Sequence, residues 1–339
     1  YMNNSNSNIS YWNLTGEKTP YPRLAQNIST DVLIIGGGIT GVTCAYCLSE
    51  MGVKPVLIEA GMLVDGTTGN TTGKVTLQHG IIYYKIMEKY GLEAARDYSV
   101  SQRSALDFVE KMVENESISC QLAKNNACIF GANEEEWDIL EREYVTAKKI
   151  GIEAELLGDS SFPGGNQRLL LYKNQFVLHP VRYVEGLAKA VATQYPFYDG
   201  PNLFYAVLYP KRTYGVAVRA QRDWPGDSFI NVGDPSRSIR THVENGERIL
   251  IVVGESHGTG RGPDDMSLHY DNLIKFADQT AGVGEVITRW SAQDYDTPDE
   301  LPYIGRISDN SNIYVASGFR KWGLSNGTLS GMLLADLIS

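Results

Sequence analysis

The stretch DVLIIGGGITG at 31–41 runs an apolar segment straight into three glycines. Gly36, Gly38 and Gly41 stand at G-x-G-x-x-G spacing. In such a turn the first glycine permits the tight bend, the second admits a pyrophosphate against bare backbone, and the third lets strand and helix pack closely. A helix starting near Ile39 and Thr40 would aim free N–H groups and its positive end at those phosphates. Glu59, followed by Ala60, closes a second apolar run, KPVLIE, about twenty residues on, where a carboxylate can accept ribose hydroxyls. A glycine cluster alone is equally an ordinary turn. The preceding strand, the following helix and the acid together point to a dinucleotide phosphate.

Those groups need elements to hold them. Asp31–Ile35 reads as a buried strand, Ile39–Met51 as a helix and Lys54–Glu59 as a second buried strand. That is the opening of a doubly wound (Rossmann-like) α/β sheet. Ile81–Tyr90, Leu92–Glu114, Glu134–Ile150, His179–Val191, Met266–Ala281 and Leu324–Ile338 carry helical periodicity, with Pro180 in a first turn. ACIFG, LLLYK, NLFYAVLY, YGVAVRA, RILIVVG, Val286–Trp290 and Asn312–Ala316 have strand character. The order is α/β, mixed, β-rich, then α/β again. It implies a cofactor domain in three parts (31–80, 176–200, 291–339) interrupted by a discontinuous mixed α+β substrate domain (81–175, 201–290). Residues 1–30 are a lead-in, of which the Asn/Ser-rich 1–12 reads as a mobile tail.

Composition sets outer limits. A chain of 339 residues can bury a large core. Its net charge of -10 argues against nucleic acid as the main partner. No run of eighteen or so apolar residues predicts a membrane span. With no visible secretory signal and four cysteines (Cys44, Cys47, Cys120, Cys128), a reducing, cytoplasmic compartment is expected. The first residue is Tyr, so the start of the natural chain can lie further upstream.

Residues 312–331, NIYVASGFRKWGLSNGTLSG, place a strand, a second glycine turn and a helix rich in small residues at the other end of the chain. With ELPYIG at 300–305, this resembles the closing signature of the D-amino-acid oxidase and glycine oxidase superfamily of FAD-dependent oxidoreductases. GTTGNTTGK (66–74) resembles the family loop that runs along the flavin, and FVLHPVRYVEGL its segment leading back to the cofactor domain. GKVTLQHG, ATQYPFYDG and RWSAQDYDTPDELPYIGR are similar to a bacterial subgroup that often carries a C-terminal Rieske iron–sulfur domain.

The resemblance implies hydride transfer from the C–N bond of an amine or imino substrate to flavin N5, with oxygen or an iron–sulfur partner as electron acceptor. It places Thr67, Thr68, Thr71, Thr72, Gly73 and Lys74 along one side of the flavin, and Gly318, Trp322, Gly323, Leu324 and Ser325 along the other, with Ser325 or Asn326 capping the helix. Ala192 and Thr193 are further cofactor-binding candidates. Lys74 and Lys321 are cationic candidates for favouring reduced flavin or activating oxygen.

Three departures from the family follow. Asp294 stands where glycine-oxidase-like members place an Arg for the substrate carboxylate; an acid there would repel a carboxylate and suit an amine. Arg289 and Arg306 lie nearby. After Val191, several dozen residues of cofactor domain are missing, including the adenine-contacting segment. No Cys/His pairs suited to a Rieske cluster occur, and the chain stops about where such a domain would begin.

Among other candidates, Cys44 and Cys47 lie one helical turn apart and read as small buried residues. His257, with Glu255 in the glycine-rich GESHGTGRG, is an acid/base candidate; the same loop is equally an edge turn. His79 has the same two readings, and Arg261, Tyr205 and Tyr214 read as substrate-domain surface. A non-catalytic interaction module and an NAD-dependent dehydrogenase are the contrasting readings of the whole.

Overall fold

The computed structural model describes residues 8–158, 167–192, 197–199, 208–263, 265–309 and 311–339. In chain order the helices are α1 (Tyr11–Thr15), α2 (Ile39–Glu50), α3 (Tyr83–Tyr90), α4 (Leu92–Asn115), α5 (Glu134–Lys149), α6 (Pro180–Ala192), α7 (Ser267–Ala281) and α8 (Gly323–Ile338). The strands are β1 (Val32–Ile35), β2 (Pro55–Glu59), β3 (Lys74–Val75), β4 (Ala123–Gly131), β5 (Ala154–Leu157), β6 (Arg168–Val177), β7 (Phe197–Asp199) and β8 (Tyr209–Ala220). They continue with β9 (Ser228–Asn231), β10 (Arg237–Glu244), β11 (Glu247–Gly258), β12 (Val283–Asp296), β13 (Tyr303–Arg306) and β14 (Tyr314–Ser317). A 3-10 turn covers Thr67–Asn70.

The first layer is a parallel sheet in the order β1-β2-β7, with Val32 opposite Pro55 and Ile35 opposite Ile58. Helix α2 packs between it and α8. The small residues of α8 are what allow that approach. A Cβ on Gly327 would stand 2.6 Å from Ile39 Cγ2, and one on Gly331 would stand 2.8 Å from the Thr40 carbonyl. A nine-stranded sheet, ordered β12-β8-β11-β10-β9-β4-β6-β3 with β5 on β6, forms the second layer. Helix α7 covers one part of it and α5 another. Asn133 caps α5 by accepting from the Glu136 N–H, and Glu134–Glu136 followed by Lys148 and Lys149 match the helix dipole. No helix among the described residues is long and apolar enough to cross a membrane.

The structure revises several local expectations. Residues 8–12 are ordered: Ser10 caps α1, and Tyr11 and Trp12 are buried. Strand β1 is not buried throughout, since Leu33 and Ile35 are 53% and 59% exposed. Glu255 and His257 belong to β11, where the register against β8 shifts between Gly254 and His257, rather than to a loop. Strand β12 is far longer than Val286–Trp290 because it pairs with β8 from Val283 to Asp296. Cys44 is buried and Cys47 half-buried, both free thiols. Most of NLFYAVLY, with Tyr205, lies outside the described residues, as does Thr193.

Candidate active site

One cavity of about 1180 Å3 lies between the two layers. The N-termini of α2 and α8 both open onto it, through Gly38–Gly41 and Trp322–Leu324. Neither helix has a side-chain cap. Their first-turn N–H groups are therefore left for other acceptors, apart from Ile39, whose N–H donates to Thr68 Oγ1 at 3.2 Å. Gly36 has φ +115 and nothing within 4 Å of where a Cβ would stand. A Cβ on Gly41 would overlap the Gly36 carbonyl. These are the open cradle and close helix–strand approach that a pyrophosphate site requires.

The 66–74 loop forms the opposite wall. Thr67, Thr68, Thr71, Thr72 and Lys74 line the cavity. Gly73 does not. Its φ of +77 turns the chain where a side chain would strike the Leu178 carbonyl and the Arg240 guanidinium. Lys74 is 8% exposed, and its Nζ donates to Ser238 Oγ at 2.6 Å and lies 5.5 Å from the Trp322 ring centre. Burial, helped by the Arg240 cation, brings its pKa down from 10.5 to about 7. Arg240 is itself buried, with one amino group on the Leu178 carbonyl at 3.0 Å, and no carboxylate pairs with it among the described residues.

Asp294 lines the same cavity, but its carboxylate already has work in the backbone. Oδ1 accepts from its neighbour's N–H, Tyr295, at 2.8 Å, and Oδ2 accepts from the Lys321 N–H. It thereby holds the turn in which Arg320 and Lys321 take φ of +46 and +71, conformations costly for residues with a Cβ. Burial raises the Asp294 pKa, opposed by those N–H groups. Replacing Asp294 by Ala should therefore loosen the Gly318–Lys321 turn and cost about 1–3 kcal/mol of stability, measurable by thermal denaturation. Lys321 is exposed at the cavity rim.

Ser325 does not cap α8; Trp322 holds the N-cap position. Ser325 is buried behind the cavity wall, its hydroxyl 2.7 Å from His79 Nε2. His79 also reaches Tyr98 Oη at 2.7 Å and stacks on Trp322 with centroids 5.0 Å apart. Burial lowers its pKa to about 3, so the ring is neutral. Asn326, the other expected cap, instead accepts from Gln102 at 2.8 Å. Glu59 faces inward to the turn, accepting from the Gly37 N–H at 2.7 Å and the Gly61 N–H at 3.1 Å. Glu59, Ala60, Ala192 and His257 are not cavity residues. His257 sits behind one that is, Tyr214, with Nε2 2.9 Å from the phenol oxygen. Sequence reasoning missed Ser238 and Arg240, which no local motif marks because strand pairing places them, and it gave Trp290, within RWSAQDYDTPDELPYIGR, no role of its own. At the far end of the cavity β1 and β14 each present an unpaired edge among the described residues.

A family model described as FAD dependent oxidoreductase matches residues 31–195 and 198–337. The chain belongs to this family, the D-amino-acid oxidase type of FAD-dependent oxidoreductase. A Bacillus subtilis (strain 168) protein named as the Rieske 2Fe-2S iron-sulfur protein YhfW is 34% identical, covering 97% of this chain and 72% of its own length. That alignment runs over 369 positions, more than the 339 of this chain, so the relative carries segments this chain lacks. The gamma-glutamylputrescine oxidoreductase of Escherichia coli (strain K12) is 23% identical over 97% of this chain and 87% of its own. The crystal structure of glycine oxidase from Geobacillus kaustophilus superposes with a TM-score of 0.74 at 18% identity, covering 91% of this chain and 94% of that one.

Proposed function

We propose that this chain binds FAD in the interlayer cavity and oxidises the C–N bond of a small amine or imino compound. The observation that carries the reading is the meeting of two uncapped helix N-termini and a buried, low-pKa lysine on one cavity. The α2 turn would hold the pyrophosphate through the backbone of Gly36–Gly41. Thr71, Thr72 and Lys74 would flank the ring on one side and Trp322–Leu324 on the other. When bound, FAD supplies the acceptor for a hydride from the substrate carbon.

The side chains then have separable tasks. Lys74, neutral in an appreciable fraction near pH 7, takes a proton from the substrate ammonium, since only a free amine can release hydride from its carbon. The positive end of α8, with Arg240 buried behind the loop, favours negative charge on the reduced ring. Among the described residues the one arginine lining the cavity is Arg306, and its guanidinium is bonded to Tyr314 Oη at 2.8 Å. That supports an amine over a simple amino acid, in line with the E. coli relative's named substrate. Oxygen or an iron–sulfur domain is the proposed electron acceptor, the latter suggested by the name of the B. subtilis relative. A nicotinamide enzyme would leave the α8 wall without a task.

Purified protein should be yellow, release flavin on denaturation, and bleach when an amine substrate is added without oxygen. Colourless protein that cannot be reconstituted with FAD would overturn the proposal.

A further inference from the structure

Three carbonyls at the end of the Thr67–Asn70 turn are satisfied by side chains from remote parts of the chain. Ser10 Oγ donates to the Gly69 carbonyl, Trp290 Nε1 to that of Asn70 at 3.1 Å, and Trp12 Nε1 to that of Thr71 at 2.6 Å. A short helical turn leaves its last carbonyls without intrahelical partners. Left free beside the cavity, these oxygens would present negative charge to a bound flavin. Two of the three donors lie in residues 10–12.

The amino-terminal segment is built for this task. Asn8 N–H bonds the Arg289 carbonyl at 2.9 Å and Thr288 Oγ1 bonds that of Ile9 at 2.6 Å, so the segment is tied to β12. Ser10 accepts from the Asn13 N–H at 3.1 Å while its own hydroxyl proton goes to Gly69. Trp12 is fully buried, edge-on to His179 and His242 and with the Arg240 guanidinium 4.8 Å from its ring centre. The indole thus has a fixed direction.

We propose that residues 8–15 form a clasp on the flavin loop and that Trp12 is a positioning residue for the Thr71–Thr72 peptide. A trans peptide points its N–H opposite to its carbonyl. With the Thr71 carbonyl held outward by Trp12, the Thr72 N–H faces the cavity that Thr72 lines. The clasp supplies a directed donor to the flavin and removes an acceptor from the same place. The flavin part of this inference rests on the function proposed above; the clasp itself does not.

The test compares wild type with Trp12→Phe, which keeps an aromatic ring and deletes the donor, and with Ser10→Ala. In the apoprotein, amide hydrogen exchange across residues 68–74 should quicken about 3- to 10-fold in each variant, the scale of one hydrogen bond. Exchange in α5, which packs on α3 and on β4, β5 and β6, should not change. In the FAD-loaded protein, Trp12→Phe should lower the flavin midpoint potential and shift its visible absorption, as loss of a donor to the ring requires. Unchanged exchange in both variants would overturn the clasp. Faster exchange with an unmoved potential and spectrum would overturn the positioning role. If wild type takes up no FAD, the functional reading fails while the exchange arm still decides the clasp.

Discussion

Lys74→Met should abolish most turnover and at the same time make the apoprotein more stable. The two effects have one cause. Lys74 is held in a buried site beside a second cation, which lowers its pKa to about 7. In the unfolded chain the same amine titrates at its ordinary 10.5. Between those values the unfolded state carries a proton that the native state lacks. Stability against unfolding therefore rises with pH from about 7 towards 10.5, and below 7 the full cost of the buried amine is present. Met fills similar space with no charge to desolvate, so the variant should melt at higher temperature, most clearly at pH 7 and below. Turnover should fall at least about 100-fold, the scale of a lost general base. The wild-type kcat/KM should climb as pH rises through 7 and then level, and Lys74→Met should lose that limb. A variant that keeps both rate and pH profile would remove Lys74 from the chemistry.

Gly41→Ala should lose flavin binding and much of the first layer's stability, although it adds one methyl group. The new Cβ would overlap the Gly36 carbonyl and stand 3.2 Å from Ile34 Cγ2. The carbonyl is backbone, and Gly36 is tied to β2 by its N–H on the Ile58 carbonyl at 2.8 Å, so the turn has no easy way to retreat. Overpacking of this kind costs about 1–3 kcal/mol or more. Because it must be relieved by moving the turn that would cradle the pyrophosphate, FAD affinity should drop by about 100-fold. Gly66→Ala is the control: φ there is -73 and a Cβ would meet nothing within 4 Å. Calorimetric FAD titration of the two variants separates them. Equal affinity in both would show that the glycine turn does not hold the cofactor.

The two glycine turns were readable because their requirements are local. A positive φ or a Cβ-free approach must be met by the residue at that position, and the strand and helix around it announce themselves by pattern. Longer-range decisions were not readable. YMNNSNSNISYW has the composition of a tail, yet Trp12 is buried by Arg240 and His242 of β10 and by His179 from the β6–α6 connection, all distant in the chain. GESHGTGRG has the composition of a loop, yet pairing with β8 makes Gly254–Gly258 the end of a strand. By its motif position Asp294 reads as a substrate contact. The fold commits its oxygens to the backbone of the adjoining turn.

By itself the sequence determined that a tight glycine turn joins strand to helix at Gly36–Gly41, that a second glycine turn answers it near Gly323, and which family the chain belongs to. The tertiary structure decided which side chains meet. Lys74 finds Ser238 and Trp322, 164 and nearly 250 positions away, and it is their enclosure, not its own neighbours in the chain, that lowers its pKa. Desolvation is a property of a place, and places are made only when distant segments close over them.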